Sequence, residues 1–342
     1  MSNDAEEMSW HQDVPKVELH VHLEGAIPHA ALFELIQKYG GDPSVPDRAA
    51  LTERFEYRDF PHFIEAWSWK NGFLREYEDF SYVAEMAARE MTKQNIVYAE
   101  MFFSPSVFSR RGLMVQELTQ AIRSGLARVT RIEIALIADL VRDYGPEAEM
   151  STLERLREVR ELGVIGVGIG GSEHDFPPGP FKPLFEAARE TGFHTNAHAG
   201  EAAGAQSIWA AIRDLGAERI GHGTRAQEDD DLLEYLAEHR IPLEMCPGSN
   251  VRTGVVGDLA VHPIRGYFER GLTVTANSDD PEMFQTSLAE EYRQLEQVCG
   301  FAKPEICKLI LTAIRSSWLP DARKATLAAE FRRSPCWNEG QE

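Results

Sequence analysis

Three short stretches of the sequence place histidine and aspartate where they could bind a metal ion. His20 and His22 lie one residue apart in the run VELHVHLEGA, and His198 follows in NAHAGE. Asp279 and Asp280 are adjacent in NSDDP. Because alternate residues of a strand share one face, His20 and His22 point the same way and can hold one ion. Three imidazoles and one carboxylate suit Zn²⁺ with a position left open for water, so we predict one zinc ion per chain.

Two further residues are placed where they could assist hydrolysis at such an ion. Glu201 follows His198 by three residues, and His222 stands between two glycines in GHG, which lets the backbone crowd close. A zinc ion lowers the pKa of its bound water to about 7, so hydroxide is available at neutral pH. Glu201 could then give a proton to the substrate, and His222 could reach the attacking water. The alternatives are that Glu201 caps the following helix and that His222 is a hydrogen-bonded core histidine.

A repeating pattern of strands and helices must position these residues. Short apolar runs predict eight strands, and segments with apolar positions three and four residues apart predict helices between them. Such alternation implies parallel strands joined by right-handed crossovers. Because polar residues gather after so many strands, we predict an α/β fold of the (β/α)8 TIM barrel type rather than an open doubly wound sheet. The predicted strands are 17–22, 96–103, 132–140, 164–169, 193–198, 219–222, 242–246 and 272–277.

One insertion in this pattern, residues 55–80, is dense in aromatic side chains. Phe60, Phe63 and Trp67 fall at helical spacing within it. The helix either packs its apolar stripe against the barrel or forms a lid with apolar walls over the barrel mouth. Both alternatives can hold, since a lid must also pack.

Length and composition bound the class of protein. The 342 residues are 43% hydrophobic and 26% charged, enough for a large core, and a single domain is expected at 13–330 between a flexible acidic tail (1–12) and a C-terminal tail (331–342). The formal charge of −20 argues against a nucleic-acid partner. The start lacks the apolar segment of a signal peptide, and no apolar run approaches the roughly 20 residues of a membrane span. We therefore expect a cytoplasmic protein with no membrane partner.

Five motifs occur in an order that resembles a known family. ELHVHLEGA, HAGE, RIGHGTRA, CPGSNVRTG and NSDDPEMF are similar to the motifs of the adenosine deaminase group of the amidohydrolase superfamily, and the resemblance runs from about residue 15 to 320. It implies that Glu201 protonates the purine ring nitrogen beside the reacting carbon, while His222 and Asp280 orient and deprotonate the attacking water. The zinc ligands that it implies are His20, His22, His198 and Asp279. The substrate-binding residues that it implies are His22, Glu24, Gly171 and Asp280.

The resemblance implies zinc-dependent hydrolytic deamination of the 6-amino group of adenosine or of a 5′-modified adenine nucleoside. The products would be an inosine-type compound and ammonia. Aminodeoxyfutalosine, 5′-methylthioadenosine and free adenine are the alternative substrates. Glu24 stands where many nucleoside-specific members have aspartate, whereas GHG is more similar to nucleoside deaminases than to adenine deaminases. Two other classes stay open: hydrolysis of an unrelated amide, lactone or phosphoester, and a non-catalytic barrel that acts as a binding module.

Overall fold

The structure is a computed structural model that describes residues 10–339. The side chain of Phe60 lies outside this description. Of the predicted N-terminal tail, residues 1–9 also lie outside it. Among residues 10–339, no helix combines the length and the apolar character that a bilayer span requires.

Within the described residues, eight parallel strands form one sheet in the order in which they occur along the chain. Each strand pairs with its sequence neighbour, as the crossover rule requires. The predicted (β/α)8 barrel is therefore confirmed, and all eight predicted strands are present. The strands are β1 (Lys16–His22), β2 (Ile96–Phe103), β3 (Glu133–Val141), β4 (Val164–Gly170), β5 (His194–Ala199), β6 (Arg219–His222), β7 (Leu243–Met245) and β8 (Val274–Ala276).

The barrel closes between β8 and β1 through a short, irregular seam. Val21 bridges to Asp279, beyond the end of β8. The Asp279 N–H donates to the His20 carbonyl at 3.1 Å, and the His22 N–H donates to the Asp279 carbonyl at 2.8 Å. One layer below, the Asn277 side chain accepts from the Leu19 N–H at 3.0 Å. A side chain thus replaces part of the backbone ladder, which is why β8 is shorter than predicted.

Helices surround the sheet and fill the connections between its strands. They are α1 (His29–Lys38), α2 (Arg48–Arg54), α3 (Phe60–Asn71), α4 (Tyr77–Lys93), α5 (Pro105–Ser109), α6 (Val115–Leu126), α7 (Pro146–Arg157), α8 (Lys182–Glu190), α9 (Ala205–Ala210), α10 (Asp230–His239), α11 (Pro247–Arg252), α12 (Ile264–Glu269), α13 (Pro281–Phe284), α14 (Leu288–Gln297), α15 (Lys303–Ser316), α16 (Asp321–Arg332) and α17 (Pro335–Glu339). Short 3₁₀ turns lie at Arg142–Tyr144, Arg160–Leu162, Gly179–Phe181, Thr224–Glu228 and Leu259–Val261, and a π-helical turn at Ala211–Leu215 follows α9.

The crossover helices form where the apolar spacing predicts them. In α6, Val115, Leu118, Ile122 and Leu126 recur at three and four residues and are all buried. The helix α10 begins at a capping aspartate, since the Asp229 side chain accepts the Leu232 N–H at 3.2 Å. Local sequence therefore determines both the buried face and the starting point of these helices.

The inner face of β4 carries almost no side chains. Gly166, Gly168 and Gly170 alternate along it, so this part of the barrel wall is bare backbone. A methyl group on Gly168 would come within 2.9 Å of the Phe102 ring, and one on Gly170 within 2.6 Å of the Asp139 carboxyl group. The glycines thus make room for side chains that reach across from β2 and β3.

The chain ends differ from the predicted tails. Trp10 is buried, and its indole N–H donates to the Cys336 carbonyl at 2.8 Å. Phe331 at the end of α16 and Trp337 in α17 are buried in the hydrophobic core. Residues 10–12 and 331–339 therefore pack against each other and onto the barrel, because three large apolar side chains are buried together there.

The contact between α4 and α6 generates a stability prediction. A Cβ atom on Gly125 would lie 2.0 Å from the Ser81 carbonyl oxygen of α4, a separation that only a shift of backbone relieves. We expect Gly125→Ala to lower the free energy of unfolding by about 1–3 kcal/mol, the usual cost of overpacking. Thermal unfolding followed by circular dichroism measures the effect.

Gly266 in α12 supplies the matched control. A Cβ there meets no atom within 4 Å, so Gly266→Ala should leave stability unchanged or raise it by about 0.5–1 kcal/mol through the better helix propensity of alanine. If both variants melt at the wild-type temperature, the α4–α6 contact is looser than the structure indicates.

Candidate active site

A cavity opens at the carboxyl ends of the strands, where barrel enzymes place their reactive groups. Four polar residues predicted from the sequence line its inner end: His22, His198, Glu201 and His222. Asp279 and Asp280 lie beside them in the same wall. These side chains come from β1, β5, β6 and the segments after β5 and β8, so the closed barrel brings distant parts of the chain together.

The predicted metal ligands converge on one point. His22 Nε2 lies 3.2 Å from His198 Nε2 and 3.3 Å from Asp279 Oδ1. His20 Nε2 lies 3.6 Å from the same Asp279 oxygen. Ligand atoms about 2.0–2.2 Å from a tetrahedral zinc ion are about 3.3–3.6 Å from one another. The observed separations therefore match the edges of a zinc coordination shell.

A second set of four overlaps with the first. Ligand atoms of His20, His198, His222 and Asp279 all lie within 4.8 Å of one another. In this set His222 takes the place of His22, but its Nε2 atom is 4.0 Å from Asp279 Oδ2, a longer separation than that of His22 from Asp279 Oδ1. His22 is thus the nearer of the two rings to Asp279, whereas His222 belongs to the set whose ligand atoms all lie within 4.8 Å of one another.

The orientation of His20 is set from below the cavity. Its Nδ1–H donates to Glu244 Oε2 at 2.9 Å, so Nε2 is the ring nitrogen that faces the cluster. Within the described structure this buried Nε2 has no hydrogen-bond partner, as expected of a ring nitrogen aimed at a metal ion. Asn196 donates to the same Glu244 oxygen at 2.8 Å, and Arg219 Nε lies 2.6 Å from the other oxygen. Glu244 is thus held ionised by Arg219.

Burial keeps the neighbouring imidazoles neutral. It lowers the pKa of His22 to about 3 and that of His198 well below the usual value. Burial opposes ionisation of Asp279, but the nearby imidazoles of His20, His222 and His22 hold the pKa of this carboxyl below its ordinary value. His20 differs from its neighbours: burial opposes its protonation, but the carboxyl groups of Asp279 and Glu244 raise its pKa to about 10. Binding of a metal ion would therefore displace a proton from the His20 ring.

The backbone at the site is strained in two places. His222 and Asp279 adopt left-handed conformations, with φ of 61° and 65°, which cost non-glycine residues of order 1–3 kcal/mol. Neighbouring glycines allow close approach: a Cβ on Gly221 would lie 2.8 Å from the His20 ring, and one on Gly25 would lie 1.8 Å from Asp280 Oδ1. The strained backbone and the small glycines together allow several polar side chains to lie close to one point.

Glu201 is held by a second carboxylate, Glu173. The two Glu173 oxygens accept the backbone N–H groups of residues 200–203 at 2.6, 3.1, 2.7 and 2.9 Å. Glu201 itself is buried, and burial together with the charges of Asp279 and Glu173 raises its pKa well above the usual value. The raised pKa favours the protonated form of this carboxyl group, which lies in the cavity wall and can donate a proton there.

Asp280 lies beside Asp279, and one of its carboxyl oxygens makes no hydrogen bond in the described structure. Its Oδ1 atom is buried and has no hydrogen-bond partner. Burial, followed by the charge of Asp279, raises its pKa well above the ordinary value. The charge of Lys70, which does not line the cavity, opposes this rise in the pKa of Asp280. Burial lowers the pKa of Lys70 itself to about 8. Sequence reasoning missed this buried lysine.

The residues predicted to contact substrate fall in two places. Gly171 lines the cavity with φ of 98°, and a Cβ there would lie 2.2 Å from Asp143, which binds the Ser172 N–H at 2.8 Å. Glu24 instead is fully packed behind the wall, where it accepts the Ser104 N–H at 2.9 Å. Ser104, not Glu24, lines the cavity, because the turn after β1 directs Glu24 towards the end of β2.

The aromatic insertion forms α3 at the cavity mouth. Phe63 and Trp67 line the cavity together with Ile64, and Phe63 stacks on Phe284 with ring centroids 5.0 Å apart. Phe60 begins α3, and its side chain lies outside the described structure. The helix therefore both packs and contributes an apolar wall, while its movement as a lid stays a prediction.

Two other buried polar residues near the cavity were missed. Asp139 at the end of β3 lines it, and burial raises the pKa of this carboxyl to about 8. Arg142 is completely buried and donates to the His198 carbonyl at 2.7 Å and the Phe176 carbonyl at 2.9 Å. Asp139 ends a predicted strand, which is the signal that could have identified it. Arg142 carries no such signal.

Known proteins are similar to this chain in both sequence and fold. The family model described as adenosine deaminase matches residues 15–333. An aminodeoxyfutalosine deaminase of Streptomyces avermitilis is 37% identical over 93% of this chain and 90% of its own length. The solved adenine deaminase of Arthrobacter aurescens superposes with a TM-score of 0.87 at 31% identity, covering 93% of this chain and 98% of that one. A Burkholderia ambifaria amidohydrolase with bound Zn gives a TM-score of 0.88 at 26% identity, covering 98% and 93%.

The four hydrogen bonds at Glu173 generate a prediction for the loop that carries Glu201. In Glu173→Gln the amide presents an N–H group to backbone donors, so at least one of these bonds is lost and the loop loosens. We expect the melting temperature to fall and hydrogen exchange at residues 200–203 to accelerate at least 10-fold, as measured by mass spectrometry.

The control is Glu186→Gln. Glu186 is an exposed residue of α8 that makes none of these hydrogen bonds. Unchanged exchange at 200–203 in Glu173→Gln would show that the loop is held by its own packing.

Proposed function

We propose that this chain, which belongs to the adenosine deaminase family, hydrolytically removes the 6-amino group from an adenine-containing small molecule. Water supplies the oxygen of the inosine-type product, and the amino group leaves as ammonia. One observation carries this proposal: three imidazoles and Asp279 meet at one point, and the buried carboxyl group of Glu201 faces the same cavity.

We assign the metal site to Zn²⁺, held by His20, His22, His198 and Asp279. The donor set, the 3.2–3.6 Å spacing and the unpartnered His20 Nε2 fit a tetrahedral ion, and a structural neighbour carries bound Zn. When bound, zinc supplies a water that ionises near neutral pH.

Glu201 acts as the general acid in this proposal. Addition of hydroxide to the ring carbon disrupts the aromatic system, and a proton on the adjacent ring nitrogen spreads the charge that develops. Its raised pKa keeps the Glu201 proton in place at neutral pH. Glu173 fixes the loop that carries this carboxyl group, so the proton is delivered from one position.

Asp280 and His222 act on the attacking water: Asp280 takes its proton and His222 orients it. The unpartnered Oδ1 of Asp280 can accept a proton, and the ammonium group of Lys70 favours the ionised form of this carboxyl that a base requires. The same group can pass that proton to the leaving amino nitrogen. His222 lies with Nε2 3.5 Å from Glu201 Oε2, at the edge of the space where the reacting carbon would lie.

For the substrate we propose adenosine or a 5′-modified adenine nucleoside. Gly170 and Gly171 present backbone to a flat base in the cavity wall. Phe63, Ile64 and Trp67 provide an apolar surface near the mouth that suits a group attached beyond the sugar. The similarity to an aminodeoxyfutalosine deaminase supports this choice. Free adenine is the second candidate, supported by the likeness to an adenine deaminase structure.

A substrate panel tests the proposal. Adenosine, 2′-deoxyadenosine, 5′-methylthioadenosine, aminodeoxyfutalosine and adenine are each offered to the zinc-loaded enzyme, and the loss of the adenine chromophore and the release of ammonia are recorded. We expect the 5′-modified nucleosides to give the highest kcat/KM, because only they reach the apolar wall of α3. Turnover of none of the five compounds would refute deamination of adenine derivatives, and a preference for adenine would select the second candidate.

Glu201→Gln separates this reaction from other hydrolyses on the same scaffold. The amide cannot give up a proton as the acid does, so we expect kcat to fall by about 10²–10⁴-fold with KM and bound zinc nearly unchanged. Exposed Glu234→Gln is the control for the assay. A Glu201→Gln enzyme that keeps most of its activity would point to an amide, lactone or phosphoester substrate that needs no proton from this position.

A further inference from the structure

Behind the His222 ring, on the side away from the cavity, lies a chain of buried polar side chains that the proposed reaction does not use. It comprises Asn250 of α11, Thr224 after β6 and His262 before α12. Each is at least 95% buried, and none of the three lines the cavity. Buried polar groups of this kind are retained where their hydrogen bonds are specific.

The protonation of His262 is determined by the backbone. The Ile264 N–H donates to His262 Nδ1 at 3.3 Å, so this nitrogen carries a lone pair. A neutral imidazole then has its proton on Nε2, and His262 Nε2 lies 3.2 Å from Asn250 Oδ1. His262 therefore donates to the amide oxygen.

The orientation of the Asn250 amide follows from two donors. Its oxygen accepts from His262 Nε2 and also from the Thr224 hydroxyl at 3.0 Å. Rotating the amide by 180° would set its NH₂ group against the His262 Nε2–H, a donor–donor contact, whereas the Thr224 hydroxyl can serve either orientation. The Asn250 nitrogen is consequently the atom that faces His222 Nδ1, 3.1 Å away, and it has only protons to offer.

His222 Nδ1 must then accept, and the proton of the neutral ring must lie on Nε2. That N–H points towards two acidic side chains, with Glu201 Oε2 at 3.5 Å and Asp279 Oδ2 at 4.0 Å. A ring nitrogen that carries a proton has no lone pair for a metal ion, nor can it take a proton from water.

We propose that Asn250 and His262 are positioning residues that hold His222 with its proton on Nε2, so that His222 serves the cavity as a hydrogen-bond donor. The catalytic role of His222 rests on the proposed function, whereas the assignment of its tautomer rests on the hydrogen bonds alone. It assigns the fourth ligand position to His22 rather than His222. It also leaves Asp280 as the group that takes the proton from the attacking water, while His222 holds the oxygen in line.

The tautomer is measured directly on the wild-type, zinc-loaded enzyme labelled with ¹⁵N-histidine. Two-bond ¹H–¹⁵N correlation spectra distinguish a protonated Nε2 from a protonated Nδ1, and His222→Gln identifies the signals of this ring. We expect the Nε2–H form. An Nδ1–H form, or a His222 Nε2 signal shifted by metal coordination, overturns the proposal whatever the activity.

Asn250→Asp reverses the hydrogen bond with little change in shape. A carboxylate at 250 accepts from Nδ1–H, which frees the Nε2 lone pair. In a Ser-His-Asp triad a comparable tautomer reversal lowers kcat about 10⁴-fold, and we expect a fall of about 10²–10⁴-fold here with KM changed only a few-fold. A variant that shows the Nδ1–H form yet keeps its kcat would also overturn the proposal.

His262 offers a matched pair of variants. Gln in place of His262 can still donate an amide N–H to Asn250 Oδ1, whereas Leu cannot. We expect His262→Gln to keep the Nε2–H form and most of kcat, and His262→Leu to lose at least 10-fold in kcat at equal zinc content. If both variants lower only the melting temperature by the same amount, the chain is merely structural. Failure of the substrate panel with an intact Nε2–H signal refutes the proposed function and leaves this inference standing.

Discussion

Closure of the sheet between β8 and β1 is the constraint on which the site depends. Asp279 exchanges backbone hydrogen bonds with both His20 and His22, and the side chains of the same three residues form three of the four members of the ligand cluster. The backbone that completes the barrel and the side chains that could bind an ion are therefore one structural unit. The left-handed conformation of Asp279 is the strain that this double role imposes.

The support beneath the cluster is ionic and fully buried. Glu100 and Glu244 both pair with Arg219 at 2.6 Å, and the Arg219 guanidinium stacks on Trp318 at 3.5 Å. Burying three charges is costly unless each is paired, and here one guanidinium pairs with both carboxylates, although its Nη2 atom has no hydrogen-bond partner in the described structure. Glu244 is the member of this network that contacts His20 Nδ1. The buried ion pairs therefore fix the carboxylate that orients the His20 ring. Glu173 does the equivalent for the loop of Glu201, with a buried carboxylate that accepts four backbone N–H groups at the cavity wall.

The features that could be predicted from the sequence depend on residues that are close together along the chain. The period of two that puts His20 and His22 on one face, the apolar spacing of α6 and the polar residues after β5, β6 and β8 each lie within a few consecutive positions. The supports could not be predicted in this way, because their partners are far apart: Glu173 acts on residues 200–203, and Glu244 on His20. Glu24 was placed at the substrate because its motif suggested it, whereas the local turn buries it behind Ser104. The packing of Phe331 and Trp337 likewise depends on Trp10, more than 300 positions away.

The cavity is divided in its architecture. One end is built by β1, β5, β6 and the segment after β8, with rings and carboxyl groups locked by the networks beneath them. The other end is built by α3, by Asp139 and by the side-chain-free wall of β4, where Gly168 and Gly170 leave space that neighbouring residues fill. Substitutions at this second end would leave the hydrogen-bonded residues of the first end in place, so the shape of the cavity can change while the cluster of imidazoles and carboxyl groups is kept. Relatives 31–37% identical to this chain, whose names specify different adenine compounds, are the outcome that such a partition produces.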